Sequence, residues 1–153
     1  MLSVTEPDWT RCMDIMLRGV FLGTTHGIRA MQKAGKGGSI VNWSSLAGLN
    51  ASPGTSIYSA AKAGVIAVTK AAALEHGHEN IRTNALCPGF IVSEGMGASL
   101  PAMAGELEPR IPMARLAKPS EVSELAAFLC SDRASYINGA IIPVDGGYGI
   151  RFA

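Results

Sequence analysis

The chain has 153 residues, of which 48% are hydrophobic and 16% charged, and its formal net charge is +1. This composition is typical of one globular domain, because it offers enough apolar surface for a single core. The near-neutral charge gives no electrostatic basis for binding nucleic acid or anionic lipid. No run of about 18 apolar residues occurs. We therefore expect no nucleic-acid partner and no membrane partner.

The cysteines and the first residues both indicate a cytoplasmic protein. Cys12, Cys87 and Cys130 are odd in number and widely spaced, and they form no Cys-x-x-Cys pair. They make no zinc-ligand pattern with the three histidines, so we expect no metal and favour buried, reduced thiols. The opening MLSVTEPDWT has no basic region followed by an apolar stretch, so no secretory signal is predicted.

The first half of the chain predicts two long helices that flank a buried strand. After a Pro-Asp start signal, apolar residues recur at steps of three and four, which predicts a helix over 7–34. Glycines end this helix, and the short β-rich run at 39–43 predicts a strand. Residues 46–56 contain a Pro-Gly turn signal and are predicted to be a loop. A second long helix is predicted over 57–77.

One face of the second predicted helix carries a stripe of small side chains, at Ala60, Gly64, Ala67 and Ala71. Such a stripe allows the backbone of another helix to approach closely. Alternatively, the alanines are present because alanine favours the helical conformation. The sequence leaves both explanations open.

The second half of the chain continues the alternation of strands and helices. Strands are predicted at 81–86 and 140–145, and a helix at 119–130. The intervening residues 90–117 show no clean period and are predicted to be a mobile segment with short helical pieces. Because each connection between strands contains a helix, the three strands should be parallel, with helices on both faces. The predicted fold class is therefore α/β, in one unit.

Tyr58 and Lys62 are four residues apart at the start of the second predicted helix, so they share one face. A free tyrosine titrates near 10, and a nearby ammonium group favours the phenolate. The pair is therefore suited to acid–base chemistry near neutral pH. By itself the spacing is not specific, since a solvated surface pair produces the same pattern.

Ser45 strengthens this interpretation because it follows a predicted parallel strand, thirteen residues before Tyr58. Ligands of open parallel sheets bind outside the carboxyl ends of the strands. A hydroxyl placed there can hydrogen-bond a substrate carbonyl while a phenol transfers the proton. Ser44 should point to the opposite face, and a strand-end polar pair without function is the alternative.

Several motifs occur in an order that resembles the short-chain dehydrogenase/reductase family. They cover nearly the whole chain: GSIVNWSSLAG at 38–48, YSAAK at 58–62, NALCPGFIVS at 84–93, RLAKPSEV at 115–122, YING at 136–139 and VDGG at 144–147. The resemblance implies the C-terminal half of a Rossmann-type, doubly wound parallel sheet. It is nearest to 3-oxoacyl-carrier-protein reductases and to hydroxysteroid or cyclic-alcohol dehydrogenases.

The resemblance implies a role for each matching residue. Ser45 would orient the substrate carbonyl or alcohol, Tyr58 would be the general acid/base, and Lys62 would lower the pKa of Tyr58 and bind the nicotinamide ribose. The residues implied to bind NAD or NADP are Tyr58, Lys62, Pro88, Gly89, Ile91 through its backbone amide, and Ser93. Residues 94–112 match the variable substrate lid of the family in position.

Two departures from the family pattern stand out. The family places an asparagine where DIMLRGVF at 14–21 has Met16, and a thioether cannot donate a hydrogen bond. The glycine-rich turn that receives the pyrophosphate is also not found, since the glycines at 35–38 precede a strand rather than a helix. We therefore expect 1–153 to be a single partial domain that lacks the N-terminal dinucleotide-binding half.

Two functions from different classes remain after this comparison. The first is an NAD(P)-dependent oxidoreductase that moves a hydride between nicotinamide and a secondary alcohol or ketone. The second is an inactive, truncated remnant that acts only through association of its helices. In the family the helices matching 7–34 and 57–77 form a four-helix dimer interface, so the resemblance also implies a homo-oligomer, either a dimer or a tetramer.

Overall fold

A computed structural model describes residues 1–92 and 103–150 and confirms an α/β fold. Three parallel strands lie in the order β1-β2-β3, with β1 at Gly38–Trp43, β2 at Ile81–Pro88 and β3 at Ile141–Val144. Strand β1 pairs with β2 along its whole length, from Gly38 opposite Ile81 to Trp43 opposite Leu86. The carboxyl-terminal half of β2 pairs with β3.

The helical path predicted over 7–34 is confirmed, but it starts at a different residue and is not α-helical throughout. Helix α1 (Glu6–Met13) begins one residue earlier, because Thr5 caps it and exchanges hydrogen bonds with Asp8. A π-helical turn then occupies Asp14–Arg18 before helix α2 (Gly19–Ala34). Apolar spacing did not reveal this turn, because the steps of three and four residues that predicted the helix fall mostly in the α-helices on either side of it.

The loop predicted over 46–56 is wrong at its beginning. A one-turn helix, α3, spans Leu46–Leu49, and the hydroxyl of Ser45 caps it by accepting a hydrogen bond from the backbone N–H of Ala47 at 3.1 Å. The helix predicted over 57–77 is present as α4 (Ser56–His76), shifted by one residue at each end. Serine is a strong N-cap residue, which is why a turn of helix follows directly after the strand.

The remaining elements agree with the predictions except at their ends. Strand β2 continues two residues beyond 86, because Cys87 and Pro88 still pair with β3. Strand β3 is shorter than 140–145 by one residue at each end. Between them lie helix α5 (Ala104–Leu107), a 3₁₀ turn, and helix α6 (Pro119–Cys130), which has the predicted bounds. The short helical pieces expected within 90–117 are thus confirmed for the part of that segment that the structure describes.

Apolar residues on the two faces of the sheet pack against different helices. Ile40 and Ile81 pack with Ile28 of α2 and Ala72 of α4. Val41 of β1 and Leu86 of β2 lie on the opposite face of the sheet, where they pack with Val122 and Leu129 of α6. The alternation along each strand therefore places helices on both faces, as predicted.

Close helix approach explains one position of the small-residue stripe. A Cβ atom added to Gly64 would lie 2.7 Å from the Leu17 side chain of the π-helical turn, so a larger residue here would require Leu17 to move. Helix α4 and the 3₁₀ turn that follows it together span Ser56–Glu79, which is long and apolar enough to cross a membrane. Core helices of globular proteins share this length and hydropathy, and α4 packs its buried face, including Val65 and Thr69, against the rest of the fold.

Candidate active site

The parallel sheet brings the chain segments after β1 and β2 to one edge. Ser44 and Ser45 follow the last residue of β1, and Gly89 follows the last residue of β2. The N–H of Gly89 donates to the carbonyl of Val144 at 3.0 Å, which holds this segment beside the end of β3. The predicted site residues Ser45, Pro88 and Gly89 therefore lie at the edge where open parallel sheets bind ligands.

A cleft of about 540 Å³ lies at the opposite, amino-terminal end of the sheet. Two of its polar side chains bind backbone carbonyls of the protein: Arg82 donates to those of Leu129 and Ser131, and Asn138 donates to that of Ala73. This cleft contains none of the predicted catalytic or cofactor-binding residues. We therefore place the candidate site at the carboxyl ends of the strands, despite the larger opening at the other end.

Lys62 is the centre of the site. Its side chain is buried, with the residue 8% exposed, and its ammonium nitrogen donates to the carbonyl oxygen of Trp43 at 2.8 Å. The same nitrogen lies 5.7 Å from the centroid of the Tyr58 ring. Burial lowers the pKa of Lys62, and the nearby thiols of Cys12 and Cys87 oppose that shift. The structure thus brings Tyr58 and Lys62 together with the end of β1.

Ser45 is linked to this centre through α3. Its hydroxyl caps α3, and the backbone of α3 packs against the turn of α4 that carries Lys62. A Cβ atom added to Gly48 of α3 would lie 2.8 Å from the carbonyl oxygen of Lys62, so only glycine permits this contact. Both Ser45 and Tyr58 are half-buried. Both residues are therefore partly accessible from the surface, on the two elements that pack together around Lys62.

Two groups that bind Lys62 were not predicted from the sequence: the backbone carbonyl of Trp43 and the hydroxyl of Ser44, which donates to the carbonyl of Lys62 at 2.8 Å. The side-chain amide of Asn42, which binds a later turn of α4, was not predicted either. Asn42 donates to Thr69 of α4 at 3.0 Å and accepts from Thr24 of α2 at 3.2 Å. The available signal was two polar residues at alternate positions, Asn42 and Ser44, in a strand that the sequence predicted to be buried, because buried polar groups need partners.

The segment after β2 presents a backbone amide. Ala117 donates to the carbonyl of Phe90 and accepts from the N–H of Val92, at 3.0 and 2.9 Å. Residues on either side of Ile91 therefore face Ala117, and the N–H of Ile91 points the opposite way. Gly89 lies close to the end of β3, because an added Cβ atom would lie 3.0 Å from the Cβ of Asp145. Ser93 lies outside the described residues.

These groups match the nicotinamide end of a dinucleotide in their donor chemistry. The ammonium group of Lys62 has three donors and uses one on Trp43, and the amide of Ile91 adds another donor. Of the predicted lid at 94–112, the structure describes 103–112, which hold α5 and the 3₁₀ turn. Met16 is half-buried within the π-helical turn, so the side chain at the family's asparagine position brings no hydrogen-bond donor there.

A parallel sheet covered by helices on both faces, with its polar site at the carboxyl ends of the strands, defines a Rossmann-type domain. Comparison with known proteins then specifies the family. A family model described as enoyl-(acyl carrier protein) reductase matches residues 1–149. The chain is 43% identical, over 96% of its length, to a 3-oxoacyl-[acyl-carrier-protein] reductase of Thermotoga maritima. It is 46% identical, over 92% of its length, to the cis-4-hydroxycyclohexanecarboxylate dehydrogenase of Sinomonas cyclohexanicum.

Solved structures agree with this assignment. Levodione reductase superposes with a TM-score of 0.90 at 33% identity, and the alignment covers 99% of this chain and 61% of that one. ElxO with NADP bound superposes with a TM-score of 0.92 at 27% identity, over 99% and 62% of the two chains. The chain therefore belongs to the short-chain dehydrogenase/reductase family. It spans 59% of the Thermotoga maritima relative and 56% of the Sinomonas relative.

Proposed function

We propose that this chain is the catalytic part of an NAD(P)-dependent oxidoreductase that acts on a secondary alcohol or ketone. The observation that carries the proposal is the position of the Lys62 ammonium, anchored on Trp43 and 5.7 Å from the Tyr58 ring. The names of the relatives, which are reductases and dehydrogenases, support the same chemistry. A bound nicotinamide would supply or accept the hydride.

The residues of this chain would handle the proton and the substrate oxygen. Tyr58 donates its phenolic proton to the oxygen of a ketone, or accepts one from an alcohol. Ser45 hydrogen-bonds the same oxygen, and the cationic side chain of Lys62 stabilises negative charge on the phenol while the proton is transferred. Burial strengthens this charge interaction, because water screens it less than at an exposed site.

The cofactor in this proposal is NAD or NADP, held at its nicotinamide end by Tyr58, Lys62, Pro88, Gly89, Ile91 and Ser93. The donor chemistry of Lys62 and Ile91 supports this assignment. The structural relative with NADP bound supports it independently. The pyrophosphate would be held by a glycine-rich turn outside this sequence.

The free edge of β1 supports a dinucleotide-binding half that precedes this chain. The N–H groups of Gly38 and Ser44 donate to the β2 side of the strand. The alternate residues Ser39, Val41 and Trp43 therefore direct their backbone groups to the other edge, where β1 has no strand partner among residues 1–92 and 103–150. Natural sheets cover such edges. We propose that a strand of the preceding half pairs there.

We also propose a cytoplasmic homo-oligomer, a dimer or tetramer built on α2 and α4. A groove of about 330 Å³ between these helices is lined by Phe21, Ile28, Val68 and Ala71, among others. The nearby Leu74 is 85% exposed, and Phe21 is 52% exposed. A second copy would cover this apolar surface. Sedimentation analysis should show a mass at least twice that of one chain, and a monomer would contradict the proposal.

The test of the activity needs an extended protein. We define it as this chain preceded by the N-terminal portion of the Thermotoga maritima reductase that lies outside the match. It is assayed with NADH and NADPH against cyclic and acyclic ketones. Tyr58→Phe should lower kcat by about 10²-fold or more while NAD(P)H fluorescence still reports binding. The matched control is Tyr136→Phe, because Tyr136 is fully exposed at the other end of the sheet. Full turnover in Tyr58→Phe would contradict the assignment.

A further inference from the structure

Ser44 occupies an unusual position for a buried serine. It directly follows β1 and is 5% exposed, and its hydroxyl donates to the backbone carbonyl of Lys62 at 2.8 Å. Lys62 lies inside α4, where backbone carbonyls accept the hydrogen bonds of the helix. The Ser44 hydroxyl therefore adds a bond between strand and helix at the residue that carries the cation.

The preceding residue, Trp43, binds the tip of the Lys62 side chain. The carbonyl of Trp43 accepts from the ammonium nitrogen of Lys62 at 2.8 Å, while Ser44 binds the Lys62 backbone. Two consecutive residues of one strand end therefore fix both the origin and the tip of a long, flexible side chain. A lysine held at both ends loses most of the conformational freedom that its four methylene groups would otherwise allow.

Ser44 is enclosed by other elements. The backbone N–H of Ser44 donates to the carbonyl of Leu86 in β2 at 2.8 Å. A Cβ atom added to Gly48 would lie 2.7 Å from the Ser44 oxygen, so α3 closes over it. Burial raises the pKa of the Cys87 thiol, and the adjacent Ser44 hydroxyl acts against that shift. Ser44 thus contacts β2, α3 and α4 at once.

We propose that Ser44 is a positioning residue for the reaction. It acts by fixing the position of α4 relative to the end of β1. Ser45 is fixed to the strand end, whereas Tyr58 and Lys62 are fixed to α4. The Ser44–Lys62 bond is a direct link between these two parts of the site. This inference rests on the proposed function. Small displacements of reacting groups cost large factors in rate.

The experiment compares Ser44→Ala with Ser39→Ala in the extended protein. Ser39 is the matched control, because its hydroxyl also donates from β1 to a helix carbonyl, that of Leu129 at 2.9 Å, toward α6. Both variants lose one bond of the same kind, so similar falls in Tm are expected. Only Ser44→Ala should lower kcat, by about 10- to 100-fold with little change in KM, and shift the pH profile of kcat. Ser44→Cys, with a weak donor of similar size, should fall between.

A second readout does not depend on turnover. In the 153-residue chain, amine-directed labelling of Lys62, quantified by mass spectrometry, should be faster in Ser44→Ala than in Ser39→Ala. Equal labelling, together with equal kcat and pH profiles for the two variants, would overturn the positioning role. An unmutated extended protein without turnover overturns the oxidoreductase proposal instead, and the labelling rates then decide the role of Ser44 alone.

Discussion

The ammonium nitrogen of Lys62 lies 2.8 Å from the carbonyl oxygen of Trp43 and donates a hydrogen bond to it. This bond joins the second turn of α4 to the carboxyl end of β1. It partly compensates for the removal of a charged group from water, since an unpaired buried charge is strongly destabilising. Burial nevertheless dominates, and the pKa of Lys62 is lowered. The site therefore holds a buried cationic side chain at a cost in stability.

This cost gives a pH-dependent prediction for Lys62→Met. The folded pKa of Lys62 lies below 10.5, the value expected in the unfolded chain, so the unfolded chain binds that proton more tightly. The Lys62 contribution to stability therefore rises as the pH increases from the folded pKa to 10.5. Lys62→Met should lack this rise, which denaturant titrations at increasing pH would measure. Lys70→Met, at an exposed position of α4, is the control. Parallel stability curves for the protein and Lys62→Met would refute the prediction.

Thr83→Val should stabilise the fold. Thr83 is completely buried in β2, and its hydroxyl has no hydrogen-bond partner among the described residues. Valine has the same shape and removes the desolvated hydroxyl, so a gain of about 1 kcal/mol in the free energy of unfolding is expected. Thr69→Val is the opposite control, because Thr69 is equally buried but bonds to Val65 and Asn42. Urea unfolding should therefore give changes of opposite sign for the two variants, and changes of the same sign would count against this reasoning.

Ala114→Gly should also stabilise the chain. Ala114 has a φ of +52°, in the left-handed region, where a Cβ atom is unfavourable. Glycine adopts this conformation without strain, so a gain of about 1 kcal/mol is expected despite the greater freedom of the unfolded chain. At Ala67, an exposed position in α4, the same substitution should instead lower Tm, because glycine disfavours helix. A lower Tm for both variants would show that residue 114 is not strained.

Glu121 should contribute stability that is lost in acid. Arg115 binds its carboxylate through two bonds of 2.7 and 2.6 Å, and the Lys118 N–H donates to it at 2.8 Å. These contacts, led by Arg115, lower the pKa of Glu121 from 4.5 to about 2. Its stabilising effect is therefore complete above pH 4.5 and falls away as the pH drops towards 2.

Thermal unfolding of Glu121→Gln across this range provides the measurement. The variant should be less stable than the parent at neutral pH, and the two should converge near pH 2. Glu124→Gln, at an exposed position one turn along α6, should follow the parent at every pH. A constant difference between Glu121→Gln and the parent would mean that the carboxylate charge does not matter.

The 153-residue chain should bind NADH and NADPH only weakly by itself. Its sequence has no glycine-rich turn between a strand and a helix to receive the pyrophosphate, which contributes much of the affinity in such domains. Titration calorimetry should give a dissociation constant well above the micromolar range for either nucleotide. The extended protein should bind much more tightly under the same conditions. Low-micromolar binding by the short chain would contradict the expectation.

Much of this protein could be read from its sequence because the relevant interactions are local or periodic. Short β-rich runs predicted the three strands that the described residues contain, and the helix of 119–130 was predicted with its correct bounds. The pairing of Tyr58 with Lys62 followed from one turn of helix, which fixes which side chains share a face. The carboxyl-end location of Ser45 followed from the parallel order of the strands.

Tertiary structure decided what surrounds these residues. The bond from Lys62 to Trp43, the bond from Ser44 to Lys62, and the contact of Gly48 with α4 all join segments distant in sequence. Leu17 of the π-helical turn at Asp14–Arg18 likewise packs against Gly64 of α4. Local propensity and periodicity carry no information about which carbonyl a folded lysine meets, since that depends on how helices and strands dock. The sequence alone determined the chemical groups, and the docking of α3 and α4 on β1 decided how they are held.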